Sequence, residues 1–268
     1  MTAPAPRVRV GVTLPQFRDD AEPALAVARG AEEAGLDGVF VFDHMWPLGQ
    51  PDRPALHSLA LLGALAAETS RLTIGPLVAR VGMLPDAVLV HTLESLHRML
   101  VSRLLVTLGT GDSANRDENE AYGVPFAPVA DRVASLVWCC RSLRDLGVPT
   151  WVGGRSVAVR RAAAAADGWN AWGTDVATFA TEVAALEDVP AASWGGQVLV
   201  ARTAEEADDK LARHGSRPGL VHGTVADLAS HIRALADAGA GWVVCAPLDV
   251  GTDPRAVEYV AEAATAAR

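Results

Sequence analysis

The sequence predicts an α/β protein, a single-domain (β/α)8 barrel of the TIM type, and three observations predict it. Short Val-rich stretches alternate along the chain with longer stretches whose apolar residues recur at helical spacing. The short stretches are apolar throughout rather than at every second residue, as in a parallel sheet that is buried on both faces. Eight strand–helix units in 268 residues fit this barrel, which takes about 250 residues.

The elements follow in order from the Val-rich run RVRVGVTL at the start of the chain. Strands are predicted at residues 7–14, 36–42, 71–78, 103–108, 149–152, 168–172, 196–201 and 241–246. Helices are predicted at residues 22–34, 55–68, 85–100, 129–145, 156–166, 175–187, 204–214, 225–238 and 254–267. Gly35 ends the first helix, as glycine often does just past a helix C-terminus, and Pro85 takes a favoured position at the start of the third.

A doubly wound parallel sheet is the alternative architecture. It would need fewer strands and a glycine fingerprint after the first strand, where the sequence instead reads LPQFRD (residues 14–19). No linker or low-complexity segment divides the chain, so residues 1–268 are predicted to form one domain.

The composition excludes several classes of partner. Lys and Arg number 23 against 32 Asp and Glu, and no basic cluster suits a phosphate backbone, so nucleic acid is not predicted as a partner. The longest apolar run, about residues 59–67, is too short to span a bilayer, and no signal-peptide pattern is visible. The chain is therefore predicted to be cytoplasmic, with no membrane partner.

The cysteines and histidines do not form a metal-binding pattern. Cys139, Cys140 and Cys245 make neither a disulfide framework nor a zinc pattern, and are predicted to be buried small hydrophobes. No Cys/His cluster has ligand spacing, so no metal site is predicted. A glycosidase would have to pair Asp43 with Asp112, among few aromatic sugar platforms. Histidines interpreted as structural or surface residues are His57, His91, His97, His214, His222 and His231.

Polar residues follow the predicted strands at their carboxyl ends, where barrel enzymes build their active sites. Asp43 and His44 follow the second strand, and Asp112 and Asn115 follow the fourth. His44 is a catalytic candidate because a rim histidine can carry a proton near neutral pH. The alternatives are that Asp43 caps a turn and that His44 is a structural residue. Further rim residues are Gln16, Arg80, Trp172, Thr174 and Arg202.

Two glycine-containing stretches also follow predicted strands. Gly153, Gly154 and Ser156 precede a helix, where backbone N–H groups suit a phosphate. Residues 109–111 (GTG) are a weaker signal, since glycines also serve tight turns. Residues 118–120 (ENE) are interpreted as a solvated helix start that the helix dipole favours.

Several segments together resemble the luciferase-like monooxygenase superfamily, and within it the branch that uses the deazaflavin coenzyme F420. The resemblance covers nearly the whole chain and rests on the order of six segments. They are EEAGLDGVFVFDHMWP (32–47), RLTIGPLV (71–78), LPDAVLVHTLESLHRMLVSRLLVTLGTGD (84–112), NEAYGVPF (119–126), PTWVGGRSVAVRRAAAAADGWNAW (149–172) and HGTVADLASHIRALADAGAGWVVCAP (222–247).

The resemblance implies a flavin-type ring in the barrel mouth. Asp43 and His44 resemble a pair that contacts the deazaflavin ring, with His44 as the catalytic group that handles a proton. The stretch GTGDSAN, from Gly109 to Asn115, resembles one in which an acid and an asparagine line the site. This implies Asp112 as the acid, with Asn115 and Gly109 at the cofactor.

The same resemblance implies a phosphate loop and an unusual peptide bond. Gly153, Gly154 and Ser156 match the loop that holds the cofactor phosphate. A non-prolyl cis peptide at the end of the third strand would fall near Leu77-Val78 and form a bulge behind the ring.

The sequence departs from the family pattern at two places. Ser102-Arg103 stands where Gly-Arg is usual before the fourth strand. The run RSLRDLGVPTWVGG lacks some tens of residues that the family has before the fifth strand. This shortening predicts that part of the substrate wall is missing.

The leading hypothesis is hydride transfer between a bound F420 and a small organic substrate. His44 would take or give the accompanying proton, and Asp112 would assist or orient it. One alternative is an FMN-dependent monooxygenase of the same superfamily, which needs a reductase partner. Another is a barrel that binds the cofactor without catalysis. The resemblance also implies a homodimer formed through barrel helices.

Overall fold

Eight parallel strands close into a barrel in the computed structural model, which describes residues 7–268. In chain order the strands are β1 (Arg9–Thr13), β2 (Gly38–Val41), β3 (Thr73–Arg80), β4 (Val106–Gly109), β5 (Thr150–Gly153), β6 (Gly168–Trp172), β7 (Ala192–Ala201), β8 (Val221–Thr224) and β9 (Ala240–Pro247). Strands β1 to β7 pair in sequence, β7 pairs with β9, and β9 returns to β1. Strand β8 pairs with the carboxyl half of β7. The predicted (β/α)8 barrel is confirmed.

Helices surround the barrel, and the links between strands and helices are mostly short. They are α1 (Glu22–Glu33), α2 (Ser58–Glu68), α3 (Asp86–Leu100), α4 (Arg116–Ala121), α5 (Val129–Asp145), α6 (Val157–Ala162), α7 (Val176–Ala184), α8 (Ala204–His214), α9 (Val225–Asp237) and α10 (Arg255–Ala266). The helix predicted at residues 156–166 is shorter, because α6 gives way to a 3-10 turn at Ala163–Ala165. High helix propensity in an alanine run does not overcome the turn that the chain makes before β6.

Strand β7 begins at Ala192 rather than at the predicted residue 196, and the difference has a packing cause. Two adjacent glycines make this stretch resemble a loop in the sequence. A Cβ atom on Gly195 would lie 2.7 Å from Cε3 of Trp172, and one on Gly196 would lie 2.3 Å from Cη2 of Trp194. The indole rings therefore occupy the space that side chains at these two strand positions would need.

Alternate residues of the strands separate into two apolar layers. In β9, Val243 and Cys245 face the helices, whereas Trp242 and Val244 point into the barrel. The barrel interior also holds Phe40, whose ring meets Trp242 edge-to-face at 5.5 Å between centroids. The barrel is thus filled by side chains, and its active site is expected at the carboxyl rim.

Two composition-based expectations can be compared with the structure. Cys139, Cys140 and Cys245 are buried, as predicted, and burial raises the pKa of each thiol to about 12. Within residues 7–268, no helix has both the length and the apolar composition that crossing a membrane requires.

Candidate active site

Asp43 and His44 follow β2 at the carboxyl rim, and a buried glutamine fixes the chain just before them. The Gln16 amide donates from Nε2 to the Phe42 carbonyl at 2.7 Å, and the Phe42 N–H donates to Gln16 Oε1 at 2.6 Å. Gln16 is fully buried, so this two-way bond is shielded from water. It holds the end of β2 and therefore the starting direction of the segment that carries His44.

The side chain that meets His44 is Glu118 on α4. The two carboxylate oxygens lie 3.2 and 3.3 Å from His44 Nδ1, and Oε1 accepts the Met45 N–H at 3.1 Å. The Glu118 side chain is 0% exposed. The expectation that residues 118–120 are a solvated helix start is therefore wrong for Glu118, although Glu120 is exposed. The short helix α4 turns one polar face inward and the other outward.

Arg80, the last residue of β3, joins Glu118 to Asp43. Its Nη1 donates to Glu118 Oε2 at 2.9 Å, and its backbone N–H donates to Asp43 Oδ2 at 2.5 Å. Nε lies 3.6 Å from the same Asp43 oxygen. The Arg80 guanidinium is buried, and within residues 7–268 its Nε and Nη2 have no hydrogen-bond partner. One buried cation thus stands between two carboxylates.

The two carboxylates respond to this arrangement in opposite directions. Burial alone would raise the pKa of Glu118, but the bonds and charges of His44 and Arg80 outweigh it and the pKa is lowered. For Asp43, burial dominates and raises the pKa, with Arg80 and His44 opposing it. Glu118 is therefore the carboxylate that stays ionised beside His44.

The contact with Glu118 also fixes the hydrogen on the histidine ring. A carboxylate accepts hydrogen bonds, so the geometry assigns the hydrogen to Nδ1 of His44. Nε2 is then the basic nitrogen of a ring whose side chain is 21% exposed. The Asn115 amide Nδ2 lies 3.5 Å from His44 Nδ1 and 3.4 Å from Glu118 Oε2. The structure thus brings His44, Glu118 and Asn115 together, and the role of Asn115 at a cofactor stays a prediction.

Asp112 lies elsewhere. It is exposed and forms the N-cap of the 3-10 turn Ser113–Asn115, accepting the Ala114 N–H at 2.9 Å. Its own N–H donates to Asn115 Oδ1 at 2.8 Å, which completes a capping box. The structure does not join Asp112 to His44, and the expected His44–Asp112 contact is replaced by His44–Glu118. Asp112 instead holds the Asn115 side chain in place.

The residues expected around a cofactor form a second patch at the rim. The Leu77-Val78 peptide bond is cis, and the β3–β4 register shifts at this point, so the predicted cis peptide and bulge are both confirmed. Val78 packs where side chains would otherwise be: a Cβ on Gly153 would lie 2.3 Å from Val78 Cγ1, and one on Gly109 would lie 2.7 Å from Cγ2. These positions require glycine.

The loop after β5 contains the other two predicted residues. Gly154 has φ +130°, which favours glycine, and its N–H donates to the Asn170 carbonyl at 3.2 Å. The Ser156 hydroxyl accepts the Val159 N–H at 3.3 Å as the N-cap of α6. The role of Gly153, Gly154 and Ser156 in phosphate binding stays a prediction.

Aromatic rings line the same end of the barrel. Phe42 meets Trp172 edge-to-face at 5.7 Å between centroids and stacks on Phe17 at 6.2 Å. All three side chains are half-buried, so they give the mouth an apolar wall. The sequence placed Trp172 at the rim but gave no signal that the two phenylalanines pair with it.

The shortened link before β5 lies at the end of the barrel opposite this rim. Helix α5 ends at Asp145 and β5 begins at Thr150, so residues 146–149 lie at the amino end of the barrel. His44 lies at the carboxyl end. An αβ link at this position lies away from the mouth, and the expected gap in the substrate wall stays a prediction.

The sequence contained a signal for the buried pair of Glu118 and Arg80, which was not predicted. Asn115, Glu118 and Asn119 are spaced at i, i+3 and i+4, which places three polar side chains on one face of a helix, and that face is buried. Arg80 ends an apolar strand and needs an acidic partner once buried.

Among residues 7–268, no group of three His, Cys, Asp or Glu side chains could hold a metal ion.

The comparison with protein families decides the chain's membership. A family model described as luciferase-like monooxygenase matches residues 4–145, which is more than half of the chain. The chain belongs to this family.

Curated relatives and solved structures extend the comparison. The F420-dependent glucose-6-phosphate dehydrogenase of Nakamurella multipartita is 31% identical over 156 residues, 58% of this chain and 43% of the relative. The enzyme of the same name from Kineococcus radiotolerans is 32% identical over 117 residues, 43% of this chain and 34% of the relative. The chain thus matches less than half the length of either relative.

Solved structures of similar fold cover almost the whole chain. An F420-dependent secondary alcohol dehydrogenase in complex with an F420-acetone adduct has a TM-score of 0.80 at 16% identity, covering 98% of this chain and 99% of that one. The F420-dependent tetrahydromethanopterin reductase of Methanopyrus kandleri has a TM-score of 0.75 at 14% identity, covering 95% of this chain and 97% of that one. At these identities the likeness concerns the fold.

Proposed function

We propose that this protein is an F420-dependent oxidoreductase that transfers hydride between a bound deazaflavin and a small organic substrate. The observation that carries the proposal is the His44–Glu118 pair at the barrel mouth, with Nδ1 facing the carboxylate and Nε2 left as the base. The F420-dependent dehydrogenases among the relatives support the choice of cofactor.

The residues at the rim fit a flat, phosphate-bearing cofactor. Gly109 and Gly153 make room for the Val78 side chain beside the cis peptide, and Val78 would in turn support a ring packed against the barrel mouth. Gly154 and Ser156, in the adjacent loop, would hold the phosphate. A bound deazaflavin would supply the hydride carrier, and the protein supplies orientation and electrostatics.

His44 would handle the proton that accompanies hydride transfer. When the substrate is an alcohol, Nε2 accepts the hydroxyl proton as the hydride leaves carbon; in reverse it donates that proton to the carbonyl oxygen. Ionised Glu118 stabilises the imidazolium that forms, and Arg80 keeps Glu118 in position. Asp112 acts through Asn115 in this proposal rather than on the substrate.

The apolar wall of Phe17, Phe42 and Trp172 favours an organic substrate over a highly charged one at this side of the mouth. Cytoplasmic location and a homodimer stay predictions of the sequence.

The first test is a binding titration that follows F420 fluorescence, with FMN in parallel. We expect saturable F420 binding at micromolar or lower concentration, and weaker binding by Gly154→Ala, since Gly154 has φ +130° and lies in the proposed phosphate loop. Gly35→Ala is the matched control: Gly35 has φ +77° but ends α1 at the opposite end of the barrel. Tighter binding of FMN would move the assignment to a monooxygenase. Binding of neither would contradict the proposed function.

A further inference from the structure

A cavity of about 480 Å³ opens on the outer side of α4, away from His44. Its lining includes Ser113, Arg116, Phe126 and Arg132, together with the start of α5. The residues assigned to the proposed catalytic site and phosphate loop do not line it. The 3-10 turn separates the two regions, since Ser113 faces the cavity and Asn115 faces His44.

Arg132 is a buried cation without a matching anion. The residue is 8% exposed, and its Nη1 donates to the Ala127 carbonyl at 2.7 Å. Nε is buried and has no hydrogen-bond partner in the described part of the chain. No carboxylate oxygen between residues 7 and 268 lies within 4.0 Å of its guanidinium. A buried guanidinium is costly unless an anion or further acceptors satisfy it.

A second cation lies beside the first. The Phe126 ring contacts both guanidinium groups, with Cζ of Arg132 3.9 Å and Cζ of Arg116 4.9 Å from its centroid. Burial first and the charge of Arg116 second lower the pKa of Arg132, with Asp112 opposing them. Arg116 has one acidic partner, Glu120, at 3.6 Å on the exposed side. Among residues 7–268, the lining of the cavity contains these two arginines and no acidic residue, so its charge is positive in excess.

The helix that borders the cavity adds to this excess. Helix α5 runs over 17 residues and begins at Val129, so its positive end lies at the cavity. Ser113, whose side chain carries a hydroxyl donor, lines the same cavity. Two arginines, a serine and the start of α5 thus supply hydrogen-bond donors among the residues at the cavity.

We propose that this cavity binds an oxyanion, a carboxylate or phosphate group, between Arg116 and Arg132. The Ser113 hydroxyl and the first turn of α5 complete the set of donors. The oxyanion belongs either to a free anionic metabolite or to an anionic arm of a larger ligand at the barrel mouth. The inference does not depend on the proposed function, because the site can be measured with a simple anion.

The test is calorimetric titration of the full chain with inorganic phosphate and with glutarate, at constant ionic strength set by sodium chloride. We expect saturable binding in the millimolar range, about tenfold weaker in Arg116→Met and lost in Arg132→Met. Arg141→Met is the matched control, since Arg141 is exposed on the same helix and its loss changes net charge equally. Its binding should equal that of the natural chain.

Two results would overturn the site. One is no binding of either anion beyond the chloride baseline, and the other is an equal effect of Arg116→Met and Arg141→Met. Arg116 is exposed, so this comparison stands even if Arg132→Met fails to fold. Adding F420 as competitor identifies the source: exclusion of phosphate by the cofactor supports an arm of that ligand, and simultaneous binding supports a separate metabolite.

Discussion

The inner and outer faces of α4 handle charge in opposite ways. Inside, Glu118 is buried with Arg80 and His44 as partners, so each charge has a counter-charge within hydrogen-bond reach. Outside, Arg132 is also buried, at 8% exposure, but has no carboxylate partner among residues 7–268, and Arg116 adds a second positive charge. A charge that has its counter-charge within the protein holds a side chain in position, whereas a buried charge without one attracts an oppositely charged ligand.

Removing the base on the inner face should have the largest effect. His44→Gln deletes the basic nitrogen and should reduce kcat by about 10²–10⁴-fold, the usual contribution of a positioned acid–base group. F420 binding should remain, so titration and turnover of the same variant separate the two roles. His91→Gln, an exposed histidine on α3, is the control. Unchanged turnover in His44→Gln would remove the proposed mechanism.

Neutralising Glu118 should remove the negative charge that Arg80 and His44 share. Glu118→Gln leaves Arg80 with Asp43 alone, a carboxyl whose pKa burial raises, and should lower the free energy of unfolding by about 3–5 kcal/mol in urea. Asp43→Asn is the matched variant, with a smaller expected loss, because burial raises the Asp43 pKa and already disfavours its charge. Equal losses in both variants would contradict a special role for the Glu118 charge.

The stability difference between each of these two variants and the natural chain should change with pH, in opposite directions for Glu118→Gln and Asp43→Asn. The Glu118 pKa is lowered in the folded protein. The contribution of this carboxyl to the free energy of unfolding is therefore present above the usual pKa of 4.5 and is lost as pH falls through the folded value. The Asp43 pKa is raised, so its contribution is present below 3.8 and is lost as pH rises through the folded value. Unfolding curves between pH 3 and pH 7 should therefore bring Glu118→Gln towards the natural chain at low pH and Asp43→Asn at high pH.

Removing the Asp112 N-cap, which precedes α4, should have a moderate effect on stability and turnover. Asp112→Ala removes the N-cap of the 3-10 turn and should cost about 1 kcal/mol of stability. Asp175→Ala removes the N-cap of α7 and should cost a similar amount. A several-fold loss of kcat confined to Asp112→Ala is expected through displacement of Asn115. A loss as large as that of His44→Gln would mean that Asp112 touches the substrate.

Changing the outer face should have the smallest effect. Glu120→Gln breaks an exposed i,i+4 pair with Arg116 and should alter the free energy of unfolding by less than about 0.5 kcal/mol. It also frees the Arg116 guanidinium, so phosphate should bind slightly more tightly in the calorimeter. Weaker phosphate binding would mean that Glu120 positions Arg116 rather than competing for it.

Much of this architecture was predictable from the sequence because it rests on local patterns. The apolar runs gave the eight barrel strands, and the position of His44 after β2 gave the rim histidine. Glu118 was not predicted, since an acidic residue in a polar helix start is usually solvated, and only the distant Arg80 and His44 make its burial favourable. Contacts between β2, β3 and α4 are tertiary, and no single segment encodes them.

Other misses also reflect packing between distant elements. The early start of β7 depends on where Trp172 and Trp194 place their rings against Gly195 and Gly196. Strand β8 is short and attaches to one half of β7, so its four residues lack the apolar run that marks the other strands.

The link at residues 146–149 has a consequence for engineering. It joins α5 to β5 at the end of the barrel opposite His44, and Gly147 at its tip is exposed with φ +74°. A reporter peptide or affinity handle inserted at Gly147 would lengthen a surface loop, at an entropic cost of only about 0.6 kcal/mol for each doubling of loop length. The protein could then be immobilised by one end while the mouth stays open to solution.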